Sequence, residues 1–545
     1  MSNYLSLAKR WLDQDPDPVT RLEIQDLIDK EDHSGLASRF STRLEFGTAG
    51  LRGELGAGPN RMNRVVVAQT ATGLAEFLNV NRETYLDPCG GLSAVIGYDG
   101  RTNSDVFASD SAEILAAAGI KTFLFSEMVP TPVAAFTGRR LGASLTVVVT
   151  ASHNPPRDNG YKVYLGGPTG GSQLVPPQDL EIANLITKIS DQSTFQEIPK
   201  SQDFVLIGQP EIDKYLDRAK ELISLDAAAV AKRSAIHITH TALHGVGWKV
   251  MKTLMADAGF KVQPVALQAE PDPKFPTVAF PNPEEKGAMD LSFAEATKNS
   301  SDIILANDPD ADRLAVAVRK GDGYKMLTGD EVGLLLAGQL APNCMAIANS
   351  IVSADLSVLA KHYGVPYTQT LTGFKWISKV PNLGYGYEEA LGYCVDPEYT
   401  PDKDGITAAL VIAQMASDLK ADGKTLLDQL ENLAEKFGHV ATGQVSLRVS
   451  DLTIIGKIMD SLRAEPPVTI GQNQISLEDY LAKTDAMKTD ALIFSSDSIK
   501  IIVRPSGTEP KLKCYLQASA TTKPDASKLL EELKDWAEAT LSALK

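Results

Sequence analysis

Apolar residues sit along this chain in short runs, and the spacing inside each run predicts an element. Leu5, Leu7, Ala8, Trp11 and Leu12 recur as one helical face, so the first 45 residues read as helical. A regular alternation follows. Ala94 to Tyr98 is a short apolar strand ending at Asp99-Gly100-Arg101, Ser111 to Ala118 a helix, and Lys121 to Phe125 a second strand. Val133 to Leu141 is helical and Leu145 to Thr150 a third strand. Such a βαβαβ rhythm predicts a mostly parallel sheet covered by helices. It recurs twice. Ala235 to Thr239, Gly247 to Ala258, Lys261 to Val265 and Ile303 to Leu305 form one round. Met345 to Ala348, Leu356 to His362 and Tyr367 to Thr370 form the other. The last 100 residues differ: strands at Gln444 to Val449, Ala491 to Phe494, Ile499 to Val503 and Lys513 to Gln517 precede a helix over Ala526 to Leu544. The fold class expected is α/β, with three related units of mixed, mostly parallel sheets and a C-terminal α+β domain.

Composition narrows the function classes. A chain of 545 residues exceeds one hydrophobic core and suggests about three or four domains. A net charge of −16 argues against a nucleic-acid partner, but not against an anionic substrate, because local residues set local fields. No apolar run approaches the roughly 20 residues of a membrane helix, and Met1 to Asp17 lacks the apolar region of a signal peptide. Cys89, Cys344, Cys394 and Cys514 lie far apart and suit a reducing compartment. The expectation is a cytoplasmic protein with no membrane partner; oligomeric state is left open.

Three segments carry candidate chemistry. Thr150-Ala-Ser-His-Asn-Pro-Pro-Arg157 follows an apolar strand, which puts Ser152 at a strand's carboxyl end, where open α/β sheets bind ligands. A serine nucleophile needs help from a neighbour, and His153 and Lys162 are near in sequence. The same residues also suit a polar turn. In Asp308-Pro-Asp310-Ala-Asp312-Arg313, three carboxylates at alternate positions repel one another, which suits a hard cation such as Mg²⁺ or, more plainly, a solvated acidic turn. An EF-hand is excluded, since Arg313 and Arg319 stand where that loop needs Gly and Glu. Arg504-Pro-Ser506-Gly507-Thr508-Glu-Pro-Lys511 combines a guanidinium, two hydroxyls and a glycine, which suits a phosphate dianion or, more plainly, a hairpin turn. Phe46-Gly-Thr-Ala-Gly-Leu-Arg52-Gly is a glycine-rich loop with one cation, Glu388-Glu389 lies between glycines, and Lys403-Asp404-Gly405 adds a cation and a turn.

These motifs together resemble the α-D-phosphohexomutase superfamily, the phosphoglucomutase and phosphomannomutase enzymes, from about Phe46 to Leu516 and in the family's order. The resemblance implies four domains around a central cleft: 1–205 with the phosphoserine loop, 206–322 with the metal loop, 323–441 with the sugar loop and 442–545 with the phosphate loop. It implies that Ser152 is the phosphoserine and that Asp308, Asp310 and Asp312 hold one Mg²⁺, with a Ser152 phosphoryl oxygen also on the metal. Glu388 and Glu389 match the sugar loop. Thr372 and Gly373 match a loop lining the cleft, and Arg504, Ser506, Gly507 and Thr508 match the phosphate clamp. Arg52, His153, Lys162, Arg313 and Lys403 match active-site cations or proton-transfer groups; which one is the general base stays open.

The activity implied is interconversion of a sugar 1-phosphate and a sugar 6-phosphate, glucose first. It would run through phosphoserine and a bound bisphosphate such as glucose 1,6-bisphosphate, which is also the expected activator. Phosphomannomutase and phosphopentomutase are alternatives, because Ala390 replaces a serine of the family's sugar loop, a form that resembles a branch acting on pentose phosphates. Two other classes compete. A metal-dependent phosphatase with Asp308 and Asp310 as its D-x-D pair releases phosphate steadily, and a non-catalytic sugar-phosphate sensor carries no phosphoserine.

Overall fold

The computed structural model describes residues 2–544 except 450, 452 and 507–510. Its contacts divide the chain into two compact units, each built from more than one segment.

The first unit comprises Met1–Leu327, Phe374–Tyr387 and Leu391–Gly423. It opens with helices Ser2–Gln14, Pro18–Asp29 and His33–Phe40, where Trp11 meets Phe40 edge to face at 6.1 Å. Its first sheet runs Leu51–Glu54, Asp158–Leu165, Leu145–Val149, Ser93–Tyr98, Lys121–Phe125, Val205–Ile207. The last four strands are parallel, and Leu51–Glu54 and Asp158–Leu165 complete the sheet antiparallel. Every residue of Leu145–Val149 is buried, Thr146 included, as a mostly apolar strand covered on both faces of a parallel sheet requires. Helices Ser104–Ala117 and Thr131–Leu141 pack on this sheet.

The second sheet runs Gly323–Met326, Ala315–Lys320, Ile303–Ala306, Ile238–Thr241, Val262–Pro264, its last three strands parallel. The strand expected from Ala235 begins at Ile238 instead. Ala235 and Ile236 close the turn after helix Ala227–Arg233, their N–H groups bonding the carbonyls of Lys232 and Arg233. Helix Gly405–Ala421, buried along most of its length, packs against Gly247–Asp257 and Ala227–Arg233. The Asp404 carboxylate caps it, accepting from the N–H groups of Ile406 and Thr407 at 3.0 Å each.

The second unit comprises Thr328–Gly373, Glu388–Ala390 and Lys424–Lys545. Helix Gly329–Leu340 starts from a reciprocal Thr328–Glu331 cap, and Ala346–Ser350 pairs in parallel with Tyr367–Thr370. The C-terminal region is an antiparallel sheet in the order His439–Arg448, Lys511–Ala520, Ile499–Pro505, Leu492–Ser495, Ser476–Asp479. Its apolar side is closed by helices Thr453–Ala464 and Lys523–Ala543. The mixed α/β sheets and C-terminal α+β region agree with the fold class read from the pattern.

Candidate active site

Buried strands of the first unit deliver their polar ends to one place. Ser152 follows Leu145–Val149 and sits in the left-handed region, φ +51°. Its N–H bonds Thr150 Oγ1 at 2.9 Å, and its hydroxyl donates to Asp308 Oδ2 at 2.6 Å. His153 Nδ1 lies 3.1 Å from the same hydroxyl. The acidic loop follows Ile303–Ala306, and Asp308, Asp310 and Asp312 are all buried.

Cations and hydroxyls surround the three carboxylates. Lys162, on Asp158–Leu165, donates to Asp310 Oδ2 at 2.5 Å and Asp312 Oδ2 at 2.6 Å. Thr131 Oγ1 donates to Asp310 Oδ2 at 2.6 Å, and the Thr131 N–H bonds the Asp310 carbonyl at 2.9 Å. Lys403 Nζ lies 3.3 Å from Asp312 and 3.2 Å from Asp402. The Arg313 N–H donates to Asp308 Oδ1 at 3.1 Å, and its guanidinium lies 3.9 Å from Asp312. Arg52 Nη1 donates to Asn154 Oδ1 at 3.1 Å.

Burial and charge compete across this group. Burial beside Asp310 and Asp312 pushes the Asp308 carboxyl up to about 8. Burial acts the same way on Asp312, but Lys162, Lys403 and Arg313 outweigh it and hold that carboxyl well below its ordinary range. Burial lowers His153, and the charges of Arg313 and Arg52 lower it further.

The residues fit a divalent cation. One oxygen from each of Asp308, Asp310 and Asp312 lies within 4.8 Å of the others. Asp310 Oδ1 and Asp312 Oδ1 are buried without a hydrogen-bond partner, a costly state for carboxylate oxygens that an oxygen-preferring cation relieves.

Arg52 corrects one expectation. It lies on strand Leu51–Glu54, paired with Asp158–Leu165, rather than in a glycine-rich loop.

In the second unit the Gly373 N–H donates to Glu388 Oε1 at 2.7 Å, which joins the Thr372-Gly373 turn to that acid. Gly373 has φ +116°, a conformation that favours glycine. Ser353 Oγ donates to Glu389 Oε2 and accepts from the Glu389 N–H, both at 3.0 Å. Desolvation, with the charges of Glu388 and Asp330, raises the Glu389 carboxyl to about 8. Arg504 lies next to last in strand Ile499–Pro505, and the Ser506 N–H bonds the Lys511 carbonyl at 2.9 Å. Gly507 and Thr508 lie outside the described residues.

Three consecutive family signatures match this sequence: phosphoglucomutase/phosphomannomutase alpha/beta/alpha domain I over residues 43–193, domain II over 213–321 and domain III over 328–437. The chain belongs to the phosphoglucomutase/phosphomannomutase family. A "Probable phosphomannomutase" of Haemophilus influenzae is 46% identical over 87% of this chain and 96% of its own length. The phosphoribomutase of Saccharomyces cerevisiae is 34% identical over 95% and 93% respectively. The human phosphopentomutase is 32% identical over 98% and 94%. Among solved structures, pp63/parafusin, a phosphoglucomutase from Paramecium, shares the fold at TM-score 0.72 and 17% identity, over 92% of this chain and 96% of that one. The chain is therefore a phosphosugar mutase, an intramolecular phosphotransferase. No described helix is long and apolar enough to cross a membrane.

Within this phosphohexomutase fold, sequence reasoning missed several supporting residues. Thr131 reaches Asp310 from a helix start marked only by Pro130 and Pro132. Leu243-His-Gly245 backs the acidic loop so closely that a Cβ on Gly245 would lie 2.2 Å from Pro309 Cα. Arg101 contacts the serine loop through four carbonyls. Its signal was Asp99-Gly100-Arg101 at a strand end.

Proposed function

We propose that this mutase interconverts glucose 1-phosphate and glucose 6-phosphate through phosphorylated Ser152. The observation that carries the reading is the Ser152 hydroxyl at 2.6 Å from Asp308, beside two further buried carboxylates. Asp308, Asp310 and Asp312, with a Ser152 phosphoryl oxygen, would hold one Mg²⁺, which supplies charge neutralisation at the transferring group. The chain's own residues do the rest. The substrate's free hydroxyl oxygen bonds to phosphorus as the bond to Ser152 Oγ breaks, and its proton passes to a basic side chain of the site. Lys162, Arg313, Arg52 and Lys403 offset charge on the phosphoryl oxygens.

The bisphosphate formed, glucose 1,6-bisphosphate, reorients, and its other phosphoryl group returns to Ser152. Arg504, Ser506, Gly507 and Thr508 would hold the phosphate that is not reacting. Glu388 and Glu389 accept sugar hydroxyls, with Thr372 lining the cleft beside them and Gly373 fixing Glu388 through its N–H. The division of the chain at 205, 322 and 441 belongs to the same proposal, since it gives each domain one loop of the reaction.

Ser152→Ala should abolish formation of glucose 6-phosphate in a coupled assay while the thermal midpoint stays near wild type. Retained wild-type kcat would sink the serine role. Steady phosphate release without isomer would favour a phosphatase.

A second reading, preference for a pentose phosphate, is supported by Ala390 and by the phosphoribomutase and phosphopentomutase relatives. Relative kcat/KM for glucose, mannose and ribose 1-phosphates decides between the sugars. A higher value for ribose 1-phosphate overturns glucose.

A further inference from the structure

The loop that carries Ser152 has an unusual backbone problem. The carbonyls of Ser152, Asn154, Pro155 and Asp158 converge on one point, and Pro155 and Pro156 have no N–H to offer in return. Converging carbonyl dipoles repel one another, and Ser152 adds a left-handed conformation that costs a non-glycine residue roughly 1–2 kcal/mol. Something must hold this arrangement in place.

Arg101 occupies that point. Its Nη2 donates to the Ser152 and Asn154 carbonyls at 2.7 and 2.6 Å, and its Nη1 to those of Pro155 and Asp158 at 2.8 and 2.9 Å. The arginine is itself fixed. Its Nε lies 3.6 Å from Asp99 Oδ2, its N–H bonds Asp99 Oδ1 at 3.0 Å, and Ser104 Oγ holds the same oxygen at 2.7 Å. The Phe275 ring closes the face of the guanidinium at 5.0 Å. The side chain is 1% exposed.

We propose that Arg101 is a positioning residue for phosphoryl transfer: its guanidinium fork sets the loop backbone so that Ser152 Oγ points at Asp308. This inference rests on Ser152 being the phosphoryl carrier. A rigid planar fork can serve four carbonyls at once, whereas a lysine ammonium is a single point with three donors. In-line transfer depends on placement within a fraction of an ångström, and a misplacement of about 1 Å can cost about 100-fold. A merely structural arginine would change the stability of the fold and leave transfer from each phosphoserine unaltered.

The test uses full-length wild type, Arg101→Lys and Phe275→Leu. Each is incubated with glucose 1,6-bisphosphate, and phosphoserine is located and counted by mass spectrometry. Single-turnover transfer to glucose 1-phosphate is then timed per phosphoserine. Arg101→Lys should transfer about 100-fold more slowly, with KM for glucose 1-phosphate within about threefold of wild type. A folded Arg101→Lys that takes up no phosphoryl group carries the same meaning. Phe275→Leu keeps the arginine but removes the ring behind it, and it should slow transfer several-fold even if the charged substitution prevents folding. Wild-type transfer rates per phosphoserine, with Ser152 as the labelled residue, would overturn the role of Arg101 alone. A phosphoryl group on a residue other than Ser152 in the wild type would overturn the assignment of Ser152 as phosphoryl carrier on which this inference rests.

Discussion

Lys162 shows how single residues balance this site. Its ammonium is buried between Asp310 and Asp312, and breaking a buried pair by removing one partner typically costs 3–5 kcal/mol, about what we expect of Lys162→Met in EDTA. Urea unfolding should show that loss, and saturating Mg²⁺ should restore part of it because a cation again offsets the carboxylates; an unchanged midpoint in EDTA would mean that the pair contributes nothing. His240 gives a pH dependence of known sign. Asn307 Nδ2 donates to the Arg313 carbonyl at 2.7 Å, so Asn307 Oδ1 faces His240 Nε2 at 2.9 Å and accepts a hydrogen bond from its N–H. His240 Nδ1 is then buried with no partner to receive a second N–H, and burial lowers the ring to about 4. The folded value lies below the unfolded one near 6.5, so stability is fully present above pH 6.5 and is lost as pH falls toward 4. The loss amounts to about 3 kcal/mol. His240→Gln, which keeps a donor for Asn307, should flatten that acid limb in urea titrations at pH 7 and pH 4.5.

At the scale of elements, caps and edges decide more than propensity. Asn63 starts helix Arg64–Val80 by accepting from the Val66 N–H at 3.0 Å, and its amide donates to the carbonyls of Gly56 and Gly58 at 2.9 and 2.8 Å. It therefore ties the turn after Leu51–Glu54 to the helix. Asn63→Ala should cost about 3 kcal/mol, a lost cap plus two unpaired buried carbonyls. Asn63→Ser, which keeps the cap, should recover about 1 kcal/mol of it in urea unfolding. Elements with a plain local signal were legible in the sequence. Leu145–Val149 is apolar but for Thr146, and the acidic triad followed an apolar strand as expected. Asp158–Leu165, the strand bearing Lys162, was not, because Asn159-Gly160 at its start reads as a turn. In the fold Asn159 is instead buried, donating to the Thr102 carbonyl at 2.9 Å. Gly405–Ala421 was missed for another reason: it is apolar nearly all round, so it has no amphipathic period to detect. Glycines hid the strand of Arg52 in the same way, because a residue without a side chain contributes nothing to an alternating pattern.

Across the whole molecule, the order of the chain and the order of packing differ, and that difference makes a prediction about fragments. The first unit ends only at Gly423, although its two large sheets are complete by Met326. Its late segment is not ornamental. Gln414 takes a hydrogen bond from Arg233, a fully buried arginine, and Asp418 and Lys420 pair with Lys232 and Asp302. Asp402 and Asp404 accept from the buried phenols of Tyr164 and Tyr215 at 2.7 and 2.9 Å. A fragment of residues 1–327 would leave Arg233 without its amide, two tyrosines without acceptors and the partners of helix Gly405–Ala421 exposed. Each orphaned buried group costs about 1–3 kcal/mol, and the sum rivals the roughly 5–15 kcal/mol that holds a domain together. The C-terminal region is built differently: its apolar cluster is drawn wholly from residues 441–544. Removing residues 438–545 therefore takes away a core with its own members, and keeps helix Gly405–Ala421 together with Arg233, Tyr164 and Tyr215. We expect residues 1–437 to unfold in one cooperative thermal transition and to retain Mg²⁺-dependent stabilisation, and residues 1–327 to show neither. A cooperative, Mg²⁺-sensitive transition in the shorter fragment would mean that the late helix is dispensable to the acidic loop.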